Sequence, residues 1–158
     1  MKCAVIGFPK CGTASMQQYL SYLYPDHNIL KLEFPIYGEA DKFEKELKGY
    51  RPIIMIRDKI EFLWSFYNYF SLSTVPFEDF LDMPFMAYNM KGLTPLQQAD
   101  FEKWIMPFRK YQARIVKLED MMMVDDFPHN EITRTKNKPA MPDKYRELAQ
   151  QRLSSLSF

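Results

Sequence analysis

Cys3-Ala4-Val5-Ile6-Gly7-Phe8-Pro9-Lys10-Cys11-Gly12-Thr13-Ala14-Ser15 is the stretch from which the fold is read. The four apolar residues read as a buried strand, and Gly7 to Gly12 as the turn that ends it. A glycine on each side of the turn lets backbone N–H groups converge on an anion. A helix beginning near Thr13 adds its unpaired amides and the positive end of its dipole. A phosphate or sulfate is therefore the expected occupant. Gly7 and Gly12 have the separation of the nucleoside-triphosphatase loop G-x-x-x-x-G-K-[ST], but Thr13 stands where that loop carries its lysine. The lysine here, Lys10, lies inside the turn. Taken alone, the loop also fits an ordinary Gly/Pro turn with a solvated lysine.

A second segment repeats the pattern. Pro52-Ile53-Ile54-Met55-Ile56 is apolar and ends in Arg57-Asp58, and Lys59-Ile60-Glu61-Phe62-Leu63-Trp64-Ser65-Phe66-Tyr67 continues with helical spacing of its apolar residues. A guanidinium suits a forked, charge-assisted contact to a phosphate, and the hydroxyl of Ser65, eight residues beyond Arg57, supplies another donor. Pro-Lys-x-Gly-Thr-x-Ser after a first strand, followed by Arg-Asp and a serine eight residues beyond the arginine, resembles the sulfotransferases that use 3′-phosphoadenosine 5′-phosphosulfate (PAPS). Toward the C-terminus, Trp104, Phe108 and Ala113-Arg114-Ile115-Val116-Lys117-Leu118-Glu119-Asp120-Met121 are similar to that family's helix, strand and Tyr-Glu-Asp-Leu turn, with Leu118 in place of the tyrosine. Asn137-Lys138-Pro139-Ala140-Met141-Pro142 and the amphipathic 145–156 resemble its closing segment. Two further departures are Ala14, where a second threonine is common, and Lys59, where a proline follows Arg-Asp.

The resemblance implies a P-loop-like α/β fold, a three-layer parallel sheet flanked by helices. It also implies transfer of a sulfuryl group from PAPS to a hydroxyl or amine, releasing 3′-phosphoadenosine 5′-phosphate (PAP) without a metal. The acceptor would attack sulfur in line, while the protein positions the reactants and neutralises charge on the departing 5′-phosphate. Lys10 is the candidate for that neutralisation. Pro9, Lys10, Cys11, Gly12, Thr13, Ala14 and Ser15 would hold the 5′ end, and Arg57 and Ser65 the 3′-phosphate. Lys136 and Lys138, in a basic cluster with Arg134, would close over it as a flap; a solvated loop is the competing reading. Glu33, at the end of the second expected strand, is the candidate base and His27 its competitor. His129 reads as an exposed loop residue.

Composition bounds the remainder. A chain of 158 residues, 47% hydrophobic and 26% charged, fits one globular domain spanning 1–158. The formal net charge of +1 gives no bulk field for nucleic acid or an anionic membrane. Met1-to-Ile6 is too short for a signal peptide, and no apolar run nears the ~20 residues of a membrane span. Cys3 and Cys11 have no zinc-like spacing, so a reduced, cytoplasmic protein is expected. The acceptor reads as a small molecule or glycan, and a homodimer stays open.

Strands are expected over 2–7, 28–33, 52–57 and 114–118. Helices are expected from 13 to the Tyr24-Pro25-Asp26 stop, over 39–48, over 60–70, as a turn at 77–81, from a Thr94-Pro95 start to 111, and after Pro142. Such alternation implies a parallel sheet with its ligand at the carboxyl ends of the strands, where both phosphate motifs fall. The aromatic and methionine load, 13 Phe, 10 Tyr and 11 Met, reads mostly as core, including Phe62, Trp64, Phe66 and Tyr67. For 77–90 a packed loop, an acceptor pocket and a protein interface all remain open. Met121-Met122-Met123 reads as a buried helix start. Two functions compete with the sulfotransferase: a P-loop kinase or nucleotide-binding protein, and a catalytically silent PAP-binding interaction protein.

Overall fold

β1 (Lys2–Gly7), an inner strand of a helix-flanked parallel sheet, is buried from Cys3 to Gly7, and a strand covered on its faces suits an apolar run better than an alternating one. The computed structural model describes residues 2–33, 45–70, 74–86, 92–128 and 138–156. The fold is α/β, with a four-stranded, all-parallel sheet flanked by helices. β2 (Asn28–Glu33), β3 (Arg51–Ile56) and β4 (Arg114–Lys117) complete the order β2-β1-β3-β4. The register pairs Gly7 with Glu33, Ile6 with Ile54, and Ile56 with Lys117. β1 is thus the strand at which successive connections diverge, β2 lying to one side and β3 to the other. In open parallel sheets, a crevice at the carboxyl end of such a strand pair is the usual ligand site.

The chain divides into two compact units, Met1–Arg57 with Phe101–Asn130, and Asp58–Asp100 with Glu131–Phe158. The first contains the sheet. α1 (Thr13–Leu23) packs on β1 and β2, and it stops at Tyr24 because Pro25 disfavours continuation. α5 (Phe101–Ile105) runs into a 3₁₀ segment (Met106–Tyr111), and α6 (Leu118–Met121) follows β4 directly. Ala4, Val5, Ile6, Ile54 and Met55 form the sheet's interior.

The second unit is organised around α2 (Lys59–Tyr69), whose N-terminus is capped by Asp58 accepting from the Glu61 N–H at 3.0 Å. Phe66, fully buried, lies 4.8 Å from the Phe70 ring, 5.0 Å from Phe85 and 5.5 Å from Phe80. α3 (Phe77–Phe80) contributes Phe77, and α4 (Pro95–Gln98) starts with a reciprocal Thr94–Gln97 capping box. α7 (Asp143–Ser155) is tied to α2 by Arg146 Nη2 donating to Glu61 Oε1 at 3.0 Å, and the Tyr145 ring lies tilted against Phe77, centroids 5.0 Å apart.

Two expected elements differ, and a third, open in the sequence, is decided in part. The helix expected over 94–111 is three pieces: α4 ends at Gln98, α5 starts at Phe101, and Pro107 forces the 3₁₀ geometry by removing a donor and crowding the preceding turn. Met121 ends a helix rather than starting one, and Met122 and Met123 are exposed. In 77–90, Phe77, Phe80, Leu81 and Phe85 are packed core, while Met86 is exposed. Tyr88 and Met90 lie outside the described residues, as does most of the helix expected over 39–48, of which Lys45 and Glu46 are helical.

Phe66→Ala removes a ring that meets four aromatic neighbours, Phe62 among them. It should cost about 3–5 kcal/mol in a urea titration, whereas Met123→Ala should stay within about 0.5 kcal/mol.

Candidate functional site

Because every strand of the sheet is parallel, the residues that follow them share one end of the first unit. These are the Phe8–Gly12 loop after β1, Glu33 closing β2, Arg57 after β3, and Glu119 in α6 after β4. The loop begins with a turn: the Cys11 N–H donates to Phe8 O at 3.2 Å, with Pro9 at the second position and Lys10 at φ 72° in the third. Proline followed by a positive φ is the pattern of a type II turn, whose third position favours glycine. A lysine there carries about 1–2 kcal/mol of backbone strain.

Three contacts hold that conformation. Arg57 Nη1 donates to Lys10 O at 2.8 Å. Phe8 is buried edge-on against Trp104, ring centroids 5.3 Å apart. Gly12, at φ 81°, lies so close to Leu118 that a Cβ would come within 2.5 Å of its Cδ1. Leu118 is thus the wall behind the loop. Gly12 is also the N-cap of α1 and makes no side-chain cap, and no acidic residue occupies the first turn. The first amides of α1 therefore keep their positive end without a built-in acceptor side chain, and the half-buried Ala14 and the buried Thr13 and Ser15 stand beside them.

Arg57 is 13% exposed in its side chain. Its Nε is buried without a hydrogen-bond partner, and Glu119 Oε1 lies 4.0 Å away, beyond hydrogen-bond range. A buried donor left unpaired costs about 1–3 kcal/mol, so this edge of the guanidinium is a place for an oxygen acceptor. Cys11 is fully buried, and that burial pushes its thiol up to about 12; Arg57 pulls it the other way, while Glu119 and Glu33 add to the rise. Cys11 is a neutral packing residue, and its N–H closes the turn instead of facing a ligand.

Glu33 reaches the loop's end of the sheet through its pairing with Gly7, and its carboxylate is 3.8 Å from Lys31 Nζ. His27 does not. It precedes Asn28, which pairs with Lys2, so it sits at the amino ends of the strands, about 17–20 Å along the sheet from the loop. There its ring meets Tyr24 edge-on at 5.2 Å. Ser65 is a buried residue of α2 in the second unit. Lys138, also in that unit, pairs with Glu61 at 3.8 Å next to Pro139, whose carbonyl accepts from Trp64 Nε1. Lys136, Arg134 and His129 lie outside the described residues. Among the described residues, no group of three or more His, Cys, Asp or Glu side chains is arranged to hold a metal ion, and no helix is long and apolar enough to cross a membrane.

No protein-family model matches the chain. No match is found among curated proteins either.

Gly12→Ala combines the left-handed backbone with the collision at Leu118 and should cost about 2–4 kcal/mol. Gly49→Ala, at φ 87° with nothing within 4 Å, should cost about 1 kcal/mol in the same urea titration. The Cys11 thiol makes stability fall at high pH. Below 9.0 both folded and unfolded chains carry it neutral; between 9.0 and about 12 the unfolded chain loses the proton while the folded one keeps it. The stability margin of wild type over Cys11→Ala should therefore shrink across that window, and a constant margin would contradict the burial.

Proposed function

We propose that this chain is a PAPS-dependent sulfotransferase whose Pro9-to-Ser15 loop binds the 5′-phosphosulfate end of the cosubstrate. The observation that carries the reading is the strained turn at Lys10, held by Arg57 in front of an uncapped helix start. Strain of this kind persists where the surroundings enforce it, and it is common at ligand sites. A lysine inside the turn, rather than after the second glycine, favours a phosphosulfate over the β- and γ-phosphates of a triphosphate.

The residues present fit an anion at this end. The α1 amides and the hydroxyls of Thr13 and Ser15 would supply donors, and the Lys10 ammonium would offset charge developing on the leaving phosphate. PAPS supplies the activated sulfuryl group; the chain's part is to bind, orient and neutralise. Glu33, closing β2 beside Gly7, is the residue of this end that would take the acceptor's proton. For the 3′-phosphate the resemblance names Arg57, Ser65, Lys136 and Lys138. Arg57 has the observation in its favour, an Nε that lacks a hydrogen-bond partner. The acceptor would be a hydroxyl or amine of a small molecule or glycan.

A catalytically silent PAP-binding protein is the second reading, and the engagement of Glu33 by Lys31 favours it. Calorimetric titration tests the shared premise. PAP should bind without added metal, and Arg57→Ala should weaken it about 30- to 1,000-fold, as expected for loss of a charged partner. Lys10→Ala should lower turnover of PAPS about 10²–10³-fold if the chain is active. Tighter binding of Mg-ATP than of PAP would contradict the assignment. PAP binding without sulfuryl transfer to any acceptor in a broad panel would leave the silent protein.

A further inference from the structure

Glu119 stands out at the loop end of the sheet because it opposes what the rest of that end is built for. Arg57, the α1 amides and Lys10 all favour an anion, yet a carboxylate lies 4.0 Å from the guanidinium's Nε. That separation is too long for a hydrogen bond and short enough for strong attraction in a partly buried setting. Nη1 is committed to Lys10 O, so Nε is the side of the guanidinium that Glu119 faces. A phosphate oxygen would use the same donor, since guanidinium and oxyanion pair most strongly through two adjacent N–H groups. Glu119 itself is 42% exposed and sits in the first turn of α6, next to the Leu118 that walls the loop. Its charge also reaches the loop's interior, where it acts on Cys11 in the sense opposite to Arg57.

We propose that Glu119 is an internal counter-anion of the oxyanion loop: it neutralises Arg57 in the ligand-free protein and must be outcompeted for the Nε edge by any anion that binds. The inference rests on the anion-site reading of the Gly7–Gly12 loop. The consequence is selectivity. A small anion that engages only this edge meets the repulsion of Glu119 with little to offset it. A ligand that also engages the α1 amides carries enough further contacts to displace the carboxylate. Glu119 thus acts through Arg57 as a positioning and specificity residue, and it takes no part in bond making.

The test compares Glu119→Gln, which removes the charge and keeps the shape, with Glu119→Asp, which keeps the charge and shortens the chain. Calorimetry with inorganic pyrophosphate and with PAP reads the affinities of both variants and of wild type. Glu119→Gln should tighten pyrophosphate by about tenfold or more and PAP by less, while Glu119→Asp should stay within about threefold of wild type. A packing role predicts the reverse order, with the shortened Asp variant the more perturbed. Unchanged or weaker pyrophosphate binding by Glu119→Gln, with wild type still binding PAP, would overturn the inference and leave the sulfotransferase reading standing. Failure of all three proteins to bind either anion would overturn both.

Discussion

The hydrogen bond from Arg57 Nη1 to Lys10 O, 2.8 Å long, is the contact on which the loop's shape depends. It joins the end of β3 to the turn after β1, two points separated by 47 residues in the chain but brought side by side by the parallel pairing of the two strands. Without it, a lysine at φ 72° would relax toward the negative-φ backbone that L-residues prefer. With it, the turn feeds into Gly12 and α1 at a fixed angle, Phe8 seats against Trp104, and Leu118 closes the back of the loop. Sequence order makes this economical. A strand that ends at the right height delivers its next side chain to its neighbour's loop, so a single arginine after β3 can brace the turn through Nη1 while its Nε keeps no hydrogen-bond partner.

The second unit solves a different problem. Its helices are short apart from α2 and α7, and helices of four residues have no stability of their own. Their order comes from aromatic packing around Phe66 and Phe77 and from polar ties between α2 and α7 at Glu61. Lys138 is one of those ties, which gives it a structural task in its own unit before any ligand is considered.

The alternation of strands and helices was legible because β1 and β3 are apolar runs bounded by glycine, proline or charge. The strands 2–7 and 28–33 stand where their patterns place them. The break in 94–111 was hidden because one continuous apolar period covers residues that belong to two units, and only Pro107 signalled the change of geometry. That Lys10, Arg57 and Glu33 share one end of the sheet was readable from their places at strand ends, since parallel pairing gathers such residues. His27 precedes the second strand in sequence, and the parallel register therefore places it at the amino ends of the strands, away from the loop. Glu119 was missed, although an acidic residue directly after a fourth parallel strand is itself the available signal. Leu118 was visible as a departure from tyrosine, but its packing on Gly12 required coordinates.

If the proposed function is right, the end of β1, the start of α1 and Arg57 respond to one ligand together. A ¹⁵N–¹H titration with PAP tests this, because the Arg57 Nε–H has a resonance of its own beside the backbone amides. This resonance and the amides of Gly12, Thr13, Ala14 and Ser15 should shift together and saturate with one dissociation constant. A response confined to other residues, with Arg57 Nε–H and the α1 amides unmoved at saturation, would contradict it.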